Sequence, residues 1–238
     1  KTTLIVRGGG DLASGVIHRL YCCGYRVLVL ECHKPSAIRR KVSFGEAVFD
    51  GTSAVEGVTG RLISDIADAE KIWEAKEIPI LVDETGETAK KLKPAALIDA
   101  ILAKKNLGTN KDMASLTVAL GPGFEAGKDV DFVIETQRGH NLGRVIRKGS
   151  ATPNTGIPGV IAGYGKERVI HSPAAGIMHN LSQIGDIVEK DQILARVDDV
   201  PVYASLTGVL RGIIRDGFVV PEGMKIADID PRKEQKKN

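Results

Sequence analysis

The first thirty residues constrain the fold of this chain more than any other part of the sequence. A β-favouring run at Thr3–Val6 is followed by the glycine turn Gly8–Gly10, a segment with apolar residues at helical spacing, and a second apolar run at Val27–Leu30. Asp11 is placed to cap the helix, and Gly24 lies where a helix commonly ends. Strand, glycine turn, helix and strand predict the opening unit of a parallel α/β sheet.

Four more apolar runs extend the prediction to a parallel sheet of about six strands, a common size for an open sheet. They are Ile78–Val82, Ala96–Leu102, Leu116–Leu120 and Phe132–Glu135. Ser64–Lys76 has the apolar spacing of a helix, with Ser64 as its predicted N-cap and Trp73 in the core. Val55–Gly60 is predicted as a short strand or a turn. The loops after the strands are expected to share one edge of the sheet, where ligands of open α/β sheets bind.

Two of these loops combine glycines with side chains that bind anions. One is Gly121-Pro122-Gly123-Phe124, and the other runs from Arg138 to Arg144. Glycine lets backbone amides approach a ligand, and arginine donates paired hydrogen bonds that match phosphate or carboxylate. The predicted ligand contacts are Gly121, Pro122, Gly123, Phe124, Arg138, Gly139, His140 and Arg144. His140 is also a candidate catalytic proton carrier, and a hydrogen bond that fixes its own loop is its alternative role.

The first glycine turn is a further candidate site. It matches G-x-G-x-x-A over Gly8–Ala13, and Glu31 lies about twenty residues later, where a Rossmann domain places its ribose-binding carboxylate. Arg39 and Arg40 either reach a phosphate or form a solvated basic patch. Glu31 would repel a 2′-phosphate that the arginines would attract, so NAD and NADP stay undecided. The predicted contacts are Gly8, Gly9, Gly10, Asp11, Glu31, Arg39 and Arg40.

The second half of the chain contains an internal repeat. The segments that begin at His171 and Tyr203 align without a gap at a spacing of thirty-two residues, with glycines and apolar residues at matching positions. The repeat resembles half of a biotinyl/lipoyl-type (hammerhead) barrel. Such barrels carry a prosthetic group on a lysine in the hairpin between their halves. Val197–Val202, the corresponding hairpin, has no lysine, so no carrier function is expected.

These features predict an α/β protein with a Rossmann-like parallel sheet of about six strands, followed by a small all-β barrel. The predicted boundaries are residues 1–150 for the α/β domain, 151–168 for a linker or rim loop rich in glycine and proline, 169–231 for the barrel, and 232–238 for a charged tail. Thr155 and Gly156 complete the predicted ligand contacts, because the linker can fold back over the edge of the sheet.

Composition argues against several classes of protein. Thirty-three Lys and Arg against thirty Asp and Glu leave a formal charge of +3, which gives no electrostatic case for nucleic-acid binding. No apolar run has the length of a membrane span, and no pair of histidines has metal-ligand spacing. Cys22, Cys23 and Cys32 are odd in number and lack a Cys-x-x-Cys spacing, which favours a reducing compartment. We therefore expect a cytoplasmic protein without a membrane partner or a metal site.

Six motifs resemble the YqeB-like family over nearly the whole chain. They are GGGDLASG, RRKVSF, AKKNLGT, LGPGFEAG, RGHNLGR and NTGIPG. The resemblance implies an accessory role for selenium-dependent molybdenum hydroxylases, in maturing their molybdenum cofactor or its selenium. It implies a hydroxylase subunit as partner and a molybdopterin-type cofactor or a nucleotide as ligand, and it assigns no catalytic residue. Homo-oligomerisation stays open.

Three functional hypotheses follow. The leading one is a maturation factor that binds a small phosphate-bearing ligand at the carboxyl edge of the sheet. An NAD(P)-dependent oxidoreductase is the alternative favoured by the first glycine turn and Glu31. A non-catalytic scaffold that docks onto the hydroxylase through the barrel is the third. A selenium relay through Cys32 is a further possibility, although this thiol has no partner cysteine beside it in the sequence.

Overall fold

The computed structural model describes residues 2–156 and 158–232 and divides the chain into two compact units. The first unit comprises Lys1–Pro35 and Val42–Thr155, and the second comprises Ser36–Lys41 and Gly156–Asn238. The short segment Ser36–Lys41 therefore belongs to the second unit, although it lies between the two parts of the first unit in the sequence. Apart from Arg232, the predicted charged tail lies outside the described residues.

A nine-stranded mixed sheet forms the centre of the first unit. Its strands are β1 (Thr3–Arg7), β2 (Arg26–Glu31), β3 (Thr52–Val55), β4 (Val58–Ile63), β5 (Ile78–Val82), β6 (Ala96–Asp99), β7 (Thr117–Leu120), β8 (Phe132–Ile134) and β9 (Val145–Ile146). They are arranged in the order β3-β4-β5-β2-β1-β6-β7-β8-β9. The seven strands from β4 to β8 in this order are parallel, whereas β3 and β9 pair antiparallel at the two edges.

Helices cover both faces of this sheet. They are α1 (Asp11–Cys22), α2 (Ala47–Asp50), α3 (Ala69–Glu74) and α4 (Glu87–Leu92). Neighbouring residues of one strand point to opposite faces, so that Val6 packs in the apolar cluster that contains Ile17 of α1. Ile5 packs in the cluster that contains Ile72 of α3 and Ala89 of α4.

Eight antiparallel strands form two sheets in the second unit. They are β10 (Val169–His171), β11 (Gly176–Asn180), β12 (Ile187–Val188), β13 (Ile193–Val197), β14 (Val200–Tyr203), β15 (Gly208–Ile213), β16 (Val219–Val220) and β17 (Lys225–Asp230). One sheet has the order β10-β17-β15-β12 and the other β14-β13-β11-β16. Each sheet thus combines strands of both repeats, with the short strand β12 beside β15 and the short strand β16 beside β11. Met178, Leu194, Leu210 and Ile226 share the single core between them.

The predicted fold class is wrong in both parts. The first unit has a nine-stranded mixed sheet in place of a Rossmann-like parallel sheet of about six strands, and the second has two four-stranded antiparallel sheets in place of a biotinyl/lipoyl barrel. Val55–Gly60, predicted as a short strand or a turn, contains the turn of the β3–β4 hairpin. Glu56 and Gly57 both have positive φ there, as a two-residue type I′ turn requires.

Two predicted helix caps are also wrong. Gly10 is the N-cap of α1 and Asp11 is its first helical residue, where the charge of a carboxylate interacts favourably with the helix dipole. Before α3, Asp65 rather than Ser64 accepts the capping hydrogen bond, from the amide of Ala67. The predicted end of α1 at Gly24 is confirmed, because this residue has φ +86° directly after the C-cap.

The segment Ser36–Lys41 stabilises β15 of the second unit. A Cβ on Gly212 would lie 2.8 Å from the carbonyl oxygen of Ile38, and Ile38 itself packs against the core. Arg40 Nε donates to the carbonyl of Ile213 at 2.9 Å, and Lys41 Nζ donates to that of Ile184 at 2.6 Å. Glycine at position 212 is therefore what permits the segment to lie directly on the strand.

Candidate functional site

The hairpin from Glu135 to Ser150, called the basic hairpin below, extends from the carboxyl end of β8. Its loop is closed by backbone hydrogen bonds from Glu135 N to Arg144 O at 3.0 Å and from Gly143 N to Glu135 O at 2.8 Å. Gly139 and Gly143 have φ of +134° and +81°. Because β8 is parallel to β7 and to the central strands, this loop lies at the carboxyl edge of the sheet.

A cavity of about 450 Å³ lies along the basic hairpin. Its lining includes Glu135, Asn141, Arg144, Arg147, Lys148 and Ser150. The guanidinium of Arg147 lies 5.1 Å from the ring centre of Phe132, a cation–π distance that favours one position of this side chain. Three cations against one carboxylate give the cavity a positive character, which suits an anionic ligand.

The Glu135 carboxylate fixes the base of the basic hairpin. It accepts hydrogen bonds from Gln137 N at 2.8 Å, from Thr152 N at 2.8 Å and from Thr152 Oγ1 at 2.7 Å. Burial raises the pKa of Glu135, but these hydrogen bonds outweigh burial and hold the pKa below its usual value. The side chain is therefore ionised near neutral pH, with both oxygens already bound to donors of the hairpin and of the segment that follows it.

The structure brings together only part of the predicted loop site. Arg144 lines the cavity, whereas Arg138, Gly139 and His140 lie at the exposed tip of the hairpin. Arg147 and Lys148 are not among the predicted ligand contacts. Arg147 and Lys148 line the same cavity as Arg144 because β9 lies between them. This strand has only two residues, too few to be recognised as an apolar run in the sequence. The role of His140 as a proton carrier stays a prediction.

The Gly121–Phe124 turn packs against its own unit. A Cβ on Gly123, which has φ +107°, would lie 2.6 Å from the backbone nitrogen of Lys105. A Cβ on Gly121 would lie 2.7 Å from Thr136 Oγ1. Phe124 is buried in an apolar cluster with Val133, and Pro122 is half-buried. Close packing of neighbouring loops thus accounts for both glycines without a ligand.

The backbone of the first glycine turn is likewise hydrogen-bonded to residues of the first unit. Gly9 N donates to Glu31 Oε2 at 2.6 Å, and Cys32 N donates to Glu31 Oε1 at 2.7 Å. Gly9 O accepts hydrogen bonds from Gly45 N at 2.8 Å and from Ser43 Oγ at 2.7 Å. The Glu31 carboxylate, predicted to bind a ribose, therefore binds the backbone of the turn instead.

The remaining predicted contacts are distributed over both units. Gly8 has φ +95° and lies against the backbone of Ile101, while Asp11 is half-buried at the start of α1. Arg39 and Arg40 belong to the segment of the second unit described above. Thr155 is the last residue of the first unit, and Gly156 is the first residue of the longer segment of the second unit. Both residues are exposed.

A buried charged network joins the carboxyl ends of β1 and β6. Arg7 Nη1 donates to Thr109 Oγ1 at 2.5 Å, and that hydroxyl donates to Asp99 Oδ2 at 2.6 Å. Burial raises the pKa of Asp99, and the bond from Thr109 and the charge of Arg7 oppose this rise. Arg7 also donates to the carbonyl of Glu84 at 2.6 Å. Both charged side chains are about 1% exposed, so this network orders the loops rather than offering a ligand site.

The thiol of Cys32 is poorly suited to a selenium relay. Burial, followed by the Glu31 carboxylate, raises the pKa of Cys32 to about 12. The thiol is therefore protonated at neutral pH, and a protonated thiol is a weak nucleophile. Cys22 and Cys23 are exposed, and all three cysteines are free. Among the described residues, no group of three His, Cys, Asp or Glu side chains is arranged to hold a metal ion, and no helix could span a membrane.

The two units thus define an α/β sheet protein with a cationic cavity at the carboxyl edge of the sheet and an appended unit of antiparallel β-structure. No protein-family model matches the chain. The chain is similar to the uncharacterized protein YqeB of Escherichia coli (strain K12), with 52% identity over 231 residues that cover 97% of this chain and 43% of that protein. This similarity supports the YqeB-like family, and the chain spans less than half the length of this relative.

Solved structures show only a distant likeness. An aspartoacylase family protein from Mesorhizobium loti is 12% identical, with 92% of this chain and 62% of that chain covered and a TM-score of 0.28. The ectoine utilization protein EutE (DoeB) from Ruegeria pomeroyi, in its apo form, is 10% identical, with 96% and 86% covered and a TM-score of 0.29.

Proposed function

We propose that the first unit binds a small phosphate-bearing ligand in the cavity of the basic hairpin. The observation that carries this proposal is the convergence of Arg144, Arg147 and Lys148 on one cavity of about 450 Å³. The two guanidinium groups can each donate paired hydrogen bonds to phosphate oxygens, and the ammonium group adds a point charge. Asn141 and Ser150 supply neutral hydrogen-bonding groups in the same cavity.

The negative charge of Glu135 in this cavity does not oppose the proposal. Its oxygens accept hydrogen bonds from Gln137 and Thr152, so that part of its charge is compensated by these donors. The side chain thereby fixes the backbone at the base of the hairpin, from which the cations extend. A site of this kind binds its anion through a preformed frame, which lowers the entropy lost on binding.

For the whole protein we propose an accessory role in maturing a selenium-dependent molybdenum hydroxylase. In this role the ligand would be the molybdenum cofactor or a nucleotide, and a hydroxylase subunit would be the partner. The proposal rests on the six motifs of the sequence, and the similarity to YqeB supports the family to which the motifs point. Glu31 accepts hydrogen bonds from Gly9 N and Cys32 N instead of being free for a ribose, which disfavours the alternative of an NAD(P)-dependent oxidoreductase.

Calorimetric titration of the full chain with inorganic pyrophosphate and with CMP tests the binding proposal. We expect the double substitution Arg144→Ala and Arg147→Ala to weaken binding by about a hundredfold or more, since it removes at least two bonds to a charged group and each contributes ~1.5–3 kcal/mol. Lys128→Ala, an exposed cation outside the cavity, is the matched control and should bind as the wild type does. Equal affinities for the double variant and the wild type would refute the site.

A further inference from the structure

The amino-terminal edge of the nine-stranded sheet carries a second cavity, of about 490 Å³. Its lining includes Tyr21, Tyr25, Arg26, Trp73, Lys76 and Glu77. Arg26 is the first residue of β2, so this cavity lies at the edge opposite the carboxyl ends of the parallel strands. It is therefore separate from the cavity of the basic hairpin.

Aromatic side chains are concentrated at this cavity in a chain that has few of them. The sequence contains one tryptophan and four tyrosines, and three of these five side chains line the cavity. Trp73, predicted as a core residue, packs against the apolar cluster that contains Ile72 but is only half-buried, and Tyr25 is 42% exposed. Tyrosine and tryptophan that remain accessible beside one another form a surface onto which a planar ring can stack.

Hydrogen bonds and ion pairs hold this aromatic surface in place. Trp73 Nε1 donates to the carbonyl of Val27 at 2.9 Å, and Tyr21 Oη donates to the carbonyl of Lys76 at 2.8 Å. The guanidinium of Arg26 lies 5.4 Å from the ring centre of Trp73 and binds both carboxylate oxygens of Glu70, at 2.9 and 2.6 Å. The rings of Trp73 and Tyr21 are thus preorganised, which favours binding.

The charges around this cavity compensate one another. Arg26 is paired with Glu70, and Glu77 is paired with Arg61 through hydrogen bonds of 2.5 and 3.0 Å. Glu74 and Lys76, which also line the cavity, carry opposite charges. An anionic ligand would therefore gain little here, in contrast to the basic hairpin. A neighbouring cavity of about 330 Å³ shares Arg26 and Trp73 and adds the apolar side chains of Ile66, Leu92 and Pro94.

We propose that this aromatic cavity binds an uncharged planar aromatic ring. The ring stacks on Tyr25 and lies beside Trp73, one face of which is covered by the Arg26 guanidinium. Two sources can supply such a ring, a free heterocyclic ligand or an aromatic side chain of a partner protein, and the chemistry of recognition is the same for both. This site does not depend on the proposed phosphate site.

The single tryptophan makes the proposal directly measurable, because the indole N–H of Trp73 gives one signal in the ¹⁵N correlation spectrum of the labelled full chain. Titration with adenosine and with N-acetylphenylalanine amide should move this signal along a saturable curve, and cyclohexanol, a saturated ring, should not. Tighter binding of adenosine would identify a free heterocycle as the source. Tighter binding of the amide would identify a partner side chain.

Tyr25→Ala should weaken ring binding about fivefold to tenfold, the effect of losing one aromatic contact. Tyr25→Phe keeps the ring and should restore the affinity. Tyr203→Ala, an exposed tyrosine of the second unit, is the matched control for removal of a surface ring. The proposal is overturned if the Trp73 signal responds linearly or not at all, if cyclohexanol matches adenosine, or if folded Tyr25→Ala binds as tightly as the wild type.

Discussion

Cys32 shows how burial and one neighbouring carboxylate set the reactivity of a side chain. Burial and the charge of Glu31 together raise the pKa of its thiol to about 12, so we expect Cys32 to react slowly with iodoacetamide at pH 8. The exposed Cys22 and Cys23 should react rapidly. Mass spectrometry of alkylated peptides over time measures the three rates separately.

The same thiol gives a test of the Glu31 contribution. Glu31→Gln removes the second-largest cause of the raised pKa, so the onset of Cys32 alkylation should move to lower pH. Glu84→Gln is the matched control, because Glu84 makes the smallest contribution to this pKa, and its effect should be smaller. A wild-type Cys32 that alkylates as fast as Cys22 would contradict the protective environment seen in the structure.

The basic hairpin depends, as an element, on one buried carboxylate. Glu135→Gln should destabilise the attachment of the Thr152 segment, because an amide nitrogen would face hydrogen-bond donors, at a cost of about 2 kcal/mol. The amides of Gln137 and Thr152 should lose protection from hydrogen exchange. Glu125→Gln, at an exposed glutamate, is the matched control and should leave both amides unchanged.

The pH dependence of this element follows from the direction of the Glu135 shift. The folded-state pKa is depressed, so the stabilisation is present above the unfolded-state pKa of about 4.3 and is lost as pH falls through the folded-state pKa. The difference in exchange protection between wild type and Glu135→Gln should therefore be constant above about pH 5 and shrink below about pH 4. A difference that grows at low pH would assign the effect to another group.

At the same scale, the sequence predicts elements that have strong local signals and misses those that depend on pairing. The apolar runs of β1, β2, β5 and β7 predict these strands to within one residue of their observed bounds, because most of their side chains are buried on both faces of the sheet. The β3–β4 hairpin turns at Glu-Gly rather than at the more recognisable Asn-Gly, and β9 has only two residues. These edge strands determine that the sheet is mixed, which the apolar pattern alone could not show.

At the scale of the whole molecule, the sequence pattern does not predict that the second unit is built from two separate segments of the chain. Arg39 and Arg40 follow β2 closely and were therefore predicted to lie beside it, whereas Ser36–Lys41 belongs with the second unit. Only a contact between positions far apart in the chain, that of Ile38 with Gly212, reveals this. Likewise, Arg144 was predicted from its loop, while its neighbours in the cavity required the register of β8 and β9.

The packing of Ile38 on the second unit predicts which strands lose stability when this side chain is shortened. Ile38→Ala removes a side chain that packs on the core of the second unit, so exchange protection should fall in β15, more than one hundred and fifty residues away in sequence. The cost should be ~1–2 kcal/mol, because Ile38 is only partly buried. Protection in β2, although much closer in sequence, should be retained. Hydrogen exchange with mass spectrometry on the full chain measures both strands together, with Ile66→Ala on the first unit as the reciprocal control. Loss of protection in β2 rather than in β15 would show that the segment stabilises the first unit instead.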